Sequence, residues 1–341
     1  MTPVYHDEPT SVKLTRRAFL KDAALGATGA ALGLTGCSPF AEAGHTPVPR
    51  AELPQGKSRV VLIREEEAFD ADGMPHEERV EEILQRAMLE LTGESTGEAA
   101  WSNFFKPEDI VGVKINVMMT PTSPELSRSV ARGIMKAGVA EQNIILWDRN
   151  DAGYGLTGAT VRDTKPGYDS KSLSRIVTEK ATALVNVPGT KVHWLAGIGV
   201  ALKNWVGAIT NINVTDIGAV YKIHGDSCAE CASIPAIPAI REKCRLVVVD
   251  ALRPLFHGGP QVNPRYLWPY GGILVATDPV AADAVCMRIL ETKRREFKGG
   301  DWPINPPPKH VFLAEEKYRL GHANMDKIEL VRLGWQEGML V

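Results

Sequence analysis

The sequence lacks both a massed block of Lys or Arg and a long apolar run. Its net charge is -2 and its pI is near 6.5, so an electrostatic surface for nucleic acid is not supported. The apolar run at residues 23–34 is about twelve residues long, whereas a membrane-spanning helix needs ~20. With 341 residues, 44% hydrophobic and 23% charged, the composition is that of a globular protein of one large or two smaller domains.

Cysteine is scarce, and known cofactor motifs are missing or incomplete. The five cysteines include no run of four closely spaced residues, so a ferredoxin-type iron–sulfur cluster is not expected. The segment GYGLTG at residues 153–158 satisfies GxGxxG, but the following ATVRDTKPG is a poor opening for a helix. Because no helix N-terminus would then face a pyrophosphate, NAD is not expected either. No repeat of roughly 20 to 50 residues is present.

The N-terminal segment has the pattern of an export signal. Arg16 and Arg17 stand in TRRAFLK, ahead of the short apolar run, and LTGC ends at Cys37. The first pattern is typical of a twin-arginine signal peptide and the second of a lipoprotein processing box, in which the cysteine is lipidated. We therefore predict a signal peptide at residues 1–36, a flexible tether rich in Pro, Ala and Gly at 37–57, and a single domain at 58–341.

This address implies partners and a location. The expected partners are the twin-arginine translocase and a membrane, reached through a lipid anchor at Cys37. The protein would be periplasmic or on the cell surface. A simple amphiphilic anchor or ordinary cleavage near this point is the alternative. This export pattern resembles that of a system that moves proteins already folded, often with a cofactor bound. It therefore raises the expectation of a bound metal or organic cofactor.

Strands and helices alternate along the remaining chain. Short β-branched runs predict strands, and apolar residues at helical spacing predict the helices between them. This order favours an α/β fold with a mostly parallel sheet flanked by helices, Rossmann-like but without a dinucleotide fingerprint. Strands are predicted at 59–64, 109–117, 143–147, 182–187, 245–249, 272–276 and 328–333, and helices at 77–91, 124–137, 172–180, about 195–209, 279–290 and 310–320.

Polar residues fall repeatedly where predicted strands end. In open parallel sheets ligands bind beyond the carboxyl ends of the strands, so four such ends together favour one binding site. For each residue alone, a helix cap or a satisfied loop group is the simpler explanation. The residues are Lys114 with Asn116, Asp148, Lys191 with His193, and Asp250.

Lys203 and Asn204 lie in the apolar helical run VALKNWVGAI. An unpaired lysine buried there loses its proton readily, and such lysines act as bases, Schiff-base formers or attachment points. The alternative is that the stem of Lys203 packs while its head reaches water.

Histidine offers a candidate metal site. His193 is interpreted as a metal ligand, a proton shuttle or a buried hydrogen-bonded imidazole. With His224, His257 and either Asp250 or Asp148, it would form a site for zinc, nickel or iron. His257 is the first residue of the loop HGGP.

Cys228 and Cys231 are the one close pair of cysteines. Asp226 and Ser227 before them are predicted to cap a helix whose dipole lowers the pKa of both thiols. A redox pair, half of a four-ligand metal site and a structural disulfide all fit this spacing.

Two aspartates in ATDPVAAD are interpreted differently. Asp278 followed by Pro279 is typical of a helix start. Asp283 has no such structural explanation and remains a functional candidate.

These motifs, in order along residues 60–335, resemble the family called domain of unknown function 362. The matching pieces are VGVKINV, IILWD, NVPGTKVH, ALKNWVG, VVVDAL, HGGP and ATDPVAADAV. Some members of that family carry four closely spaced cysteines for a cluster, which this chain lacks.

There is also an analogy to lactate racemase-like proteins. In those proteins a His is followed ten residues later by a Lys that holds a nickel-pincer nucleotide, and His193 and Lys203 have that separation. The histidine of a second loop in those proteins is missing here, near Asp148 and Arg149. The analogy therefore implies a site location more than an activity.

The sequence thus predicts a small anionic ligand in a cofactor or metal site at the strand ends. In an enzyme of the oxidoreductase or isomerase class, the catalytic residues would be His193, Lys203 and Asp148. Lys114, Asn116, Lys191 and Asn204 would bind the substrate. The cofactor would be a metal or a covalently held nucleotide. A non-catalytic binding lipoprotein for an anion or metal and a CxxC thiol redox protein are the alternatives.

Overall fold

Short apolar segments form the strands of one sheet. The computed structural model describes residues 53–149, 167, 173–209 and 223–341, and within these ranges there are nine strands. The strands are β1 (Ser58–Arg64), β2 (Val111–Ile115), β3 (Ile144–Trp147), β4 (Ala183–Val187), β5 (Gly189–His193), β6 (Gly197–Gly199), β7 (Cys244–Leu255), β8 (Gly272–Ala276) and β9 (Ile328–Gly334).

Helices connect most of these strands. The α-helices are α1 (Glu77–Thr92), α2 (Gly97–Ser102), α3 (Pro124–Lys136), α4 (Ala201–Asn204), α5 (Pro238–Arg241), α6 (Pro279–Lys298) and α7 (Lys309–Glu316). A π-helical turn at Ile176–Lys180 and a 3-10 segment at Asp226–Ser233 bear on the site described below.

The sheet is mixed but mostly parallel. Its strand order is β3-β2-β4-β7-β8-β1-β9. The run from β3 to β7 is parallel, as is the pair β1 and β9, while β8 is antiparallel to both of its neighbours. A hairpin of β5 and β6 attaches to β7. The prediction of an α/β fold with a mostly parallel sheet and flanking helices is confirmed.

Helices cover both faces of the sheet. In β1, Val61 and Ile63 point into a core shared with α1, α2 and α3, whereas Val60 and Leu62 point into a core shared with α6 and α7. This follows from the alternation of side chains along a strand. Strands that are buried on both faces have continuous apolar sequences, which is why these segments were recognisable.

Helix α6 begins as its sequence predicts. Asp278 is the N-cap, and its Oδ1 accepts hydrogen bonds of 2.8 and 2.9 Å from two backbone amides of the first turn. Pro279 occupies the first helical position, where its missing N–H costs nothing. The helix ends at Gly299, which adopts a left-handed φ of 70°.

The predicted helix at about 195–209 is partly wrong. Gly197–Gly199 forms β6 and pairs with β5, and only the short α4 and a 3-10 turn at Trp205–Ala208 follow. The reason is tertiary contact: Gly197 has a φ of 78°, and a Cβ there would lie 2.6 Å from the carbonyl oxygen of Pro306. Only glycine fits this approach.

Several predictions concern residues outside the described ranges. These are the signal peptide with Arg16 and Arg17, the lipidation site Cys37, most of the tether, and the GYGLTG segment. They stay predictions. The residues that the structure describes all belong to one compact unit. Among the helices that the structure describes, none has the length and apolar character needed to cross a bilayer.

Candidate functional site

A cavity of about 280 Å³ opens where β2, β3 and β4 end. This is the edge at which open α/β sheets bind ligands, and the volume is just below the ~300–1,000 Å³ of typical small-molecule sites. Its wall contains seven of the predicted site residues, namely Asn116, Asp148, Lys191, His193, Lys203, Asn204 and His224. The cavity therefore suits a small metabolite and assembles residues that are far apart in sequence.

Lys114 lies beneath the cavity and is not part of its wall. The side chain is 1% exposed, and its ammonium Nζ is 2.7 Å from Asp148 Oδ1. It also donates to the Ile115 carbonyl oxygen at 2.7 Å and to Asn204 Oδ1 at 3.2 Å. An ammonium has three donors, and all three are used. Lys114 was predicted to bind substrate; in this geometry its ammonium holds other polar groups in place.

The Asp148 carboxylate accepts three hydrogen bonds from the protein. Besides Lys114, its Oδ1 accepts the Arg149 amide at 2.7 Å, and its Oδ2 accepts the Val117 amide at 2.9 Å. Burial lowers the pKa of Lys114 and the attraction of Asp148 opposes this shift. The geometry therefore favours Asp148 as a buried counter-ion that orders the loops after β2 and β3, in place of its predicted catalytic role.

Asn204 completes this buried network. Its Nδ2 donates to the Lys114 carbonyl oxygen at 3.1 Å and to Asn186 Oδ1 at 2.8 Å. Asn186 Nδ2 in turn donates to the Ala201 carbonyl oxygen at 2.8 Å. Asn204 was predicted to bind substrate, but its amide mainly ties α4 to β2 and β4. Asn186, fully buried in β4, was missed as a site residue because its neighbours are apolar.

Gly207 packs directly on the ion pair. A Cβ at this position would meet Asp148 Oδ1 and would lie 2.9 Å from Lys114 Nζ and 2.8 Å from its Cε. Real Cβ atoms do not approach that closely, and the neighbours belong to a buried network that has little room to shift.

We expect Gly207→Ala to lower the free energy of unfolding by about 1–3 kcal/mol, the usual effect of overpacking. The measurement is urea unfolding followed by circular dichroism. Gly300→Ala is the matched control, because no atom lies within 4 Å of a Cβ built there, and we expect a change within about 0.5 kcal/mol. Equal effects of the two substitutions would contradict the described packing around the ion pair.

Lys191 is the cavity lysine with donors to spare. It is 7% exposed, and the Thr120 carbonyl oxygen, 2.8 Å from Nζ, is its one hydrogen-bond acceptor among the described residues. Burial lowers the pKa of Lys191 to about 7, helped by the positive charges of Lys203 and Lys114 and opposed by Asp148 and Asp250. Near neutral pH this group both gains and loses a proton readily.

His193 is held in one tautomer. Its Nδ1 accepts a hydrogen bond of 3.1 Å from the backbone amide of Leu195, so the proton of the neutral ring is on Nε2. Burial lowers the pKa of His193 to about 2, and Lys203 and His224 contribute to that shift. His193 is therefore a neutral donor, and it is unsuited to bind a metal through Nε2 while the Leu195 bond persists.

Lys203 lies half-buried against His224. The distance from Lys203 Nζ to His224 Nε2 is 3.4 Å, and since an ammonium only donates, Nε2 is the acceptor. The rings of His193 and His224 are nearly parallel, with centroids 6.3 Å apart. The wall of the cavity thus brings two lysines and two imidazoles together around one space.

The mouth of the cavity is apolar. Met118, Met119 and Trp194 line it with 41%, 46% and 53% of their surface exposed. The Asn116 side chain, predicted to bind substrate, donates to the carbonyl oxygens of Met118 and Thr120 at 2.9 and 2.6 Å and shapes this loop. A cationic interior and an apolar mouth suit an anion that carries an apolar part.

The predicted metal set is not assembled. Asp250 is missing from the cavity wall, because its Oδ2 accepts the Ser123 amide at 2.7 Å and its Oδ1 the Leu252 amide at 3.0 Å. Within the described ranges, no three His, Cys, Asp or Glu side chains converge on a metal position. Asp250 instead anchors the start of α3.

The cysteine pair differs from its prediction in two respects. Asp226 and Ser227 do not cap a helix, since both have positive φ values, 47° and 58°, and no side-chain cap bond forms. Cys228 and Cys231 are free, buried thiols. A hydrogen bond with Cys231 and burial raise the pKa of the Cys228 thiol, the opposite of the predicted direction. The same hydrogen bond lowers the pKa of the Cys231 thiol, against the effect of burial, so the predicted direction holds for one thiol of the pair. A rapidly exchanging thiol redox protein needs exposed thiols of low pKa, so this geometry argues against that alternative.

Asp283, left unexplained by sequence, supports α4. Its Oδ1 accepts the Ala201 amide at 2.6 Å and its Oδ2 the Leu202 amide at 3.3 Å, at the start of the helix that carries Lys203. Burial raises the pKa of Asp283 to about 8. Asp283 is fully buried, and its hydrogen bonds with these two amides explain why a carboxyl group stands in the apolar face of α6.

Residues that the sequence reasoning missed lie next to predicted ones. Arg149 follows Asp148, Trp194 follows His193, and Met118 and Met119 follow Asn116. Arg149 lines the cavity and donates to the carbonyl oxygens of Val206 and Ile209 at 2.5 and 3.1 Å. Position beside a strand end was the only available signal, because these residues have no motif of their own.

Comparison with known proteins finds a family model that matches part of the chain. No curated protein and no solved structure matches the chain. The matched family region includes Lys191, His193, Lys203 and Asp283 but not Lys114 or Asp148. It confirms the predicted resemblance over that part of the sequence: residues 154–288 match the model of the family described as domain of unknown function, DUF362.

Proposed function

We propose that the cavity binds a small organic anion, with Lys191 and Lys203 as its cationic contacts. The observation that carries the proposal is the charge of the cavity wall. Lys191, Lys203 and Arg149 line it, and its one acidic side chain among the described residues, Asp148, is already paired with Lys114. A buried excess of positive charge attracts anions, and hydrogen bonds between charged groups are the strong ones.

The neutral His193 donor supplies a second recognition group. Because the Leu195 amide donates to Nδ1, the proton of the neutral ring is on Nε2. This N–H group suits a ligand oxygen that carries negative charge. Met118, Met119 and Trp194 would contact the apolar part of the ligand at the mouth. A carboxylate with a short apolar body would meet the lysines with its charge, the His193 donor with an oxygen and the mouth with its apolar part. It would fit a cavity of about 280 Å³.

The same groups support an isomerase-type proton transfer. A lysine with a pKa near 7 is suited to general acid–base catalysis at neutral pH. A neutral imidazole that donates from Nε2 stabilises an oxygen that gains negative charge in the transition state. In this mechanism Lys191, which the sequence suggested as a substrate-binding residue, moves the proton, and His193 stabilises the oxyanion. A non-catalytic binding protein would use the same contacts without turnover.

A panel of matched ligands tests the binding claim. We expect benzoate and lactate to raise the melting temperature of the protein, and benzamide and lactamide to leave it nearly unchanged, because only the anions meet the lysines. A ligand at 100 times its Kd adds about 2.7 kcal/mol of stability. The measurement is a thermal melt at several ligand concentrations.

Variants locate the effect. Lys203→Met should reduce the shift caused by the carboxylates, whereas Lys106→Met, an exposed lysine outside the cavity, should preserve it. Equal shifts with the amides, or an undiminished shift in the Lys203 variant, would count against an anion site.

A further inference from the structure

We propose that Cys228 and Cys231 form a reversible disulfide that controls the anion cavity. The disulfide itself is independent of the ligand, while its effect on ligand binding rests on the function proposed above. The thiols lie outside the cavity wall, and they contact both of the turns that position cavity histidines.

The spacing of the two residues allows the bond. They stand three positions apart in the 3-10 segment Asp226–Ser233, and their side chains pack in one small apolar cluster. Cys228 itself has a left-handed backbone, but the two residues between it and Cys231 keep helical φ and ψ, and three steps of a 3-10 turn give a rise of about 6 Å. Disulfides join Cα atoms that are ~4.4–6.8 Å apart, so the bond requires little movement of the backbone.

The backbone before the pair is already in a rare conformation. Asp226, Ser227 and Cys228 have φ values of 47°, 58° and 57° in succession. Non-glycine residues seldom adopt this left-handed region, and such residues cluster at switch regions. A turn with this left-handed backbone can convert to other conformations. A new covalent bond between the cysteines can therefore change its shape.

One chain of contacts leads from the thiols to Lys203. Cys231 Sγ donates to the carbonyl oxygen of Ile223 at 3.6 Å. The next residue is His224, whose Nε2 is 3.4 Å from Lys203 Nζ. A disulfide has no S–H group, so oxidation removes the donor that holds the Ile223 carbonyl and releases the turn that carries His224.

A second chain of contacts leads to His193. Cys228 and Cys231 pack with Ala196 in one small apolar cluster, with Leu195 against it. The Leu195 amide is the group that fixes the His193 tautomer. The thiols therefore contact Ile223, the residue before His224, and Leu195, whose amide is hydrogen-bonded to His193.

Formation of the disulfide requires a two-electron oxidant, and a small-molecule disulfide such as oxidised glutathione supplies it. One cysteine thiolate attacks the glutathione disulfide, which gives a mixed disulfide and releases one glutathione thiol. The second cysteine displaces the other glutathione, so the protein loses two protons and two electrons and two glutathione thiols form. Burial of both sulfurs makes this exchange slow, which suits a switch set by the surroundings. An exported protein, as predicted for this chain, meets oxidising surroundings.

The first experiment is peptide mapping of the full-length protein after incubation with oxidised or reduced glutathione. We expect an intramolecular Cys228–Cys231 disulfide in the oxidised sample, which dithiothreitol removes, while Cys244 and Cys286 remain thiols. Failure of this bond to form at any glutathione ratio, in native protein, overturns the proposal.

The second experiment compares the oxidised and reduced forms of the same protein. We expect the affinity for benzoate to differ by at least about fivefold, the low end for coupled sites, and hydrogen exchange of the peptide that contains Leu195 and His193 to change. The Cys228→Ser, Cys231→Ser double variant should show neither difference, while Cys244→Ser should retain both.

Identical exchange and identical affinity in the two redox forms would overturn the control of the cavity. If neither form binds benzoate or lactate, the function proposed above fails. The exchange measurement then still decides whether the disulfide acts on the turn that holds His193.

Discussion

Replacing Lys114 by methionine is expected to lower the free energy of unfolding by about 3–5 kcal/mol, the cost of leaving one partner of a buried ion pair alone. Lys114 is 1% exposed, and its Nζ lies 2.7 Å from Asp148 Oδ1. Methionine has a similar length, so loss of charge outweighs loss of volume. Asp148 would remain a buried carboxylate that keeps only its backbone donors. Urea unfolding measures the change.

A second substitution separates charge from packing. Adding Asp148→Asn to Lys114→Met removes the stranded charge, so we expect the double variant to be more stable than Lys114→Met alone. Arg288→Met is the control for a surface pair: its guanidinium is 3.7 Å from Glu291, half of its side chain is exposed, and the expected change is below about 1 kcal/mol. A loss as small as that of Arg288→Met would contradict a buried pair at Lys114.

Replacing Lys191 by methionine is expected to weaken binding of the carboxylate ligand about 10- to 100-fold. A hydrogen bond to a charged group contributes about 1.5–3 kcal/mol, and each 1.4 kcal/mol is tenfold in Kd. The side chain is buried in the cavity wall and has donors free for a ligand. Titration calorimetry measures the change, with Lys106→Met as control.

The same residue sets the pH dependence of binding. Burial lowers the pKa of Lys191 to about 7 from 10.5, while the carboxylate ligand stays ionised above about pH 5. Lys191 carries its charge below pH 7, so affinity should fall as pH rises through 7, at most tenfold per unit. Lys191→Met should be flat over this range.

Stability without ligand should depend on pH in the opposite sense. Between pH about 7 and 10.5 the unfolded chain holds a proton on Lys191 that the folded protein has lost. The free energy of unfolding gains a positive contribution as pH rises through this window, up to about 1.4 kcal/mol per unit from this group. Lys191→Met should lack this contribution.

The sequence predicted those parts of the fold that depend on local patterns. The helix after Asp278 follows from its cap and its proline, and β1 follows from an apolar, β-branched run. The convergence of Asp148 and Lys191 on one edge follows from the rule for parallel strands. These features require no knowledge of distant contacts.

The sequence did not predict the roles of residues whose contacts are distant along the chain. Lys114, Lys191 and Lys203 have similar sequence surroundings, yet the first is paired with Asp148, the second has donors to spare and the third lies against His224. The role of each lysine depends on side chains tens of residues away. Asp250 likewise lies at the predicted edge of the sheet, but its Oδ2 accepts a hydrogen bond from the Ser123 amide.

The tautomer of His193 is a second example. Only the structure shows that the Leu195 amide bonds to Nδ1, because that bond depends on the tight turn between β5 and β6. The predicted helix through this turn would have given the imidazole different neighbours. The choice among metal ligand, proton shuttle and buried hydrogen-bonded imidazole therefore depended on backbone geometry that has no sequence motif.

Proton uptake on ligand binding tests the central claim most directly. At about pH 8 roughly nine-tenths of Lys191 is neutral in the free protein if its pKa is about 7, and an anion that binds its ammonium must draw in a proton. Calorimetry of benzoate binding in buffers of different ionisation enthalpy measures that number. We predict uptake approaching one proton per benzoate in the native protein and none in Lys191→Met. Binding without proton uptake, equally tight in both proteins, would contradict an anion site at Lys191.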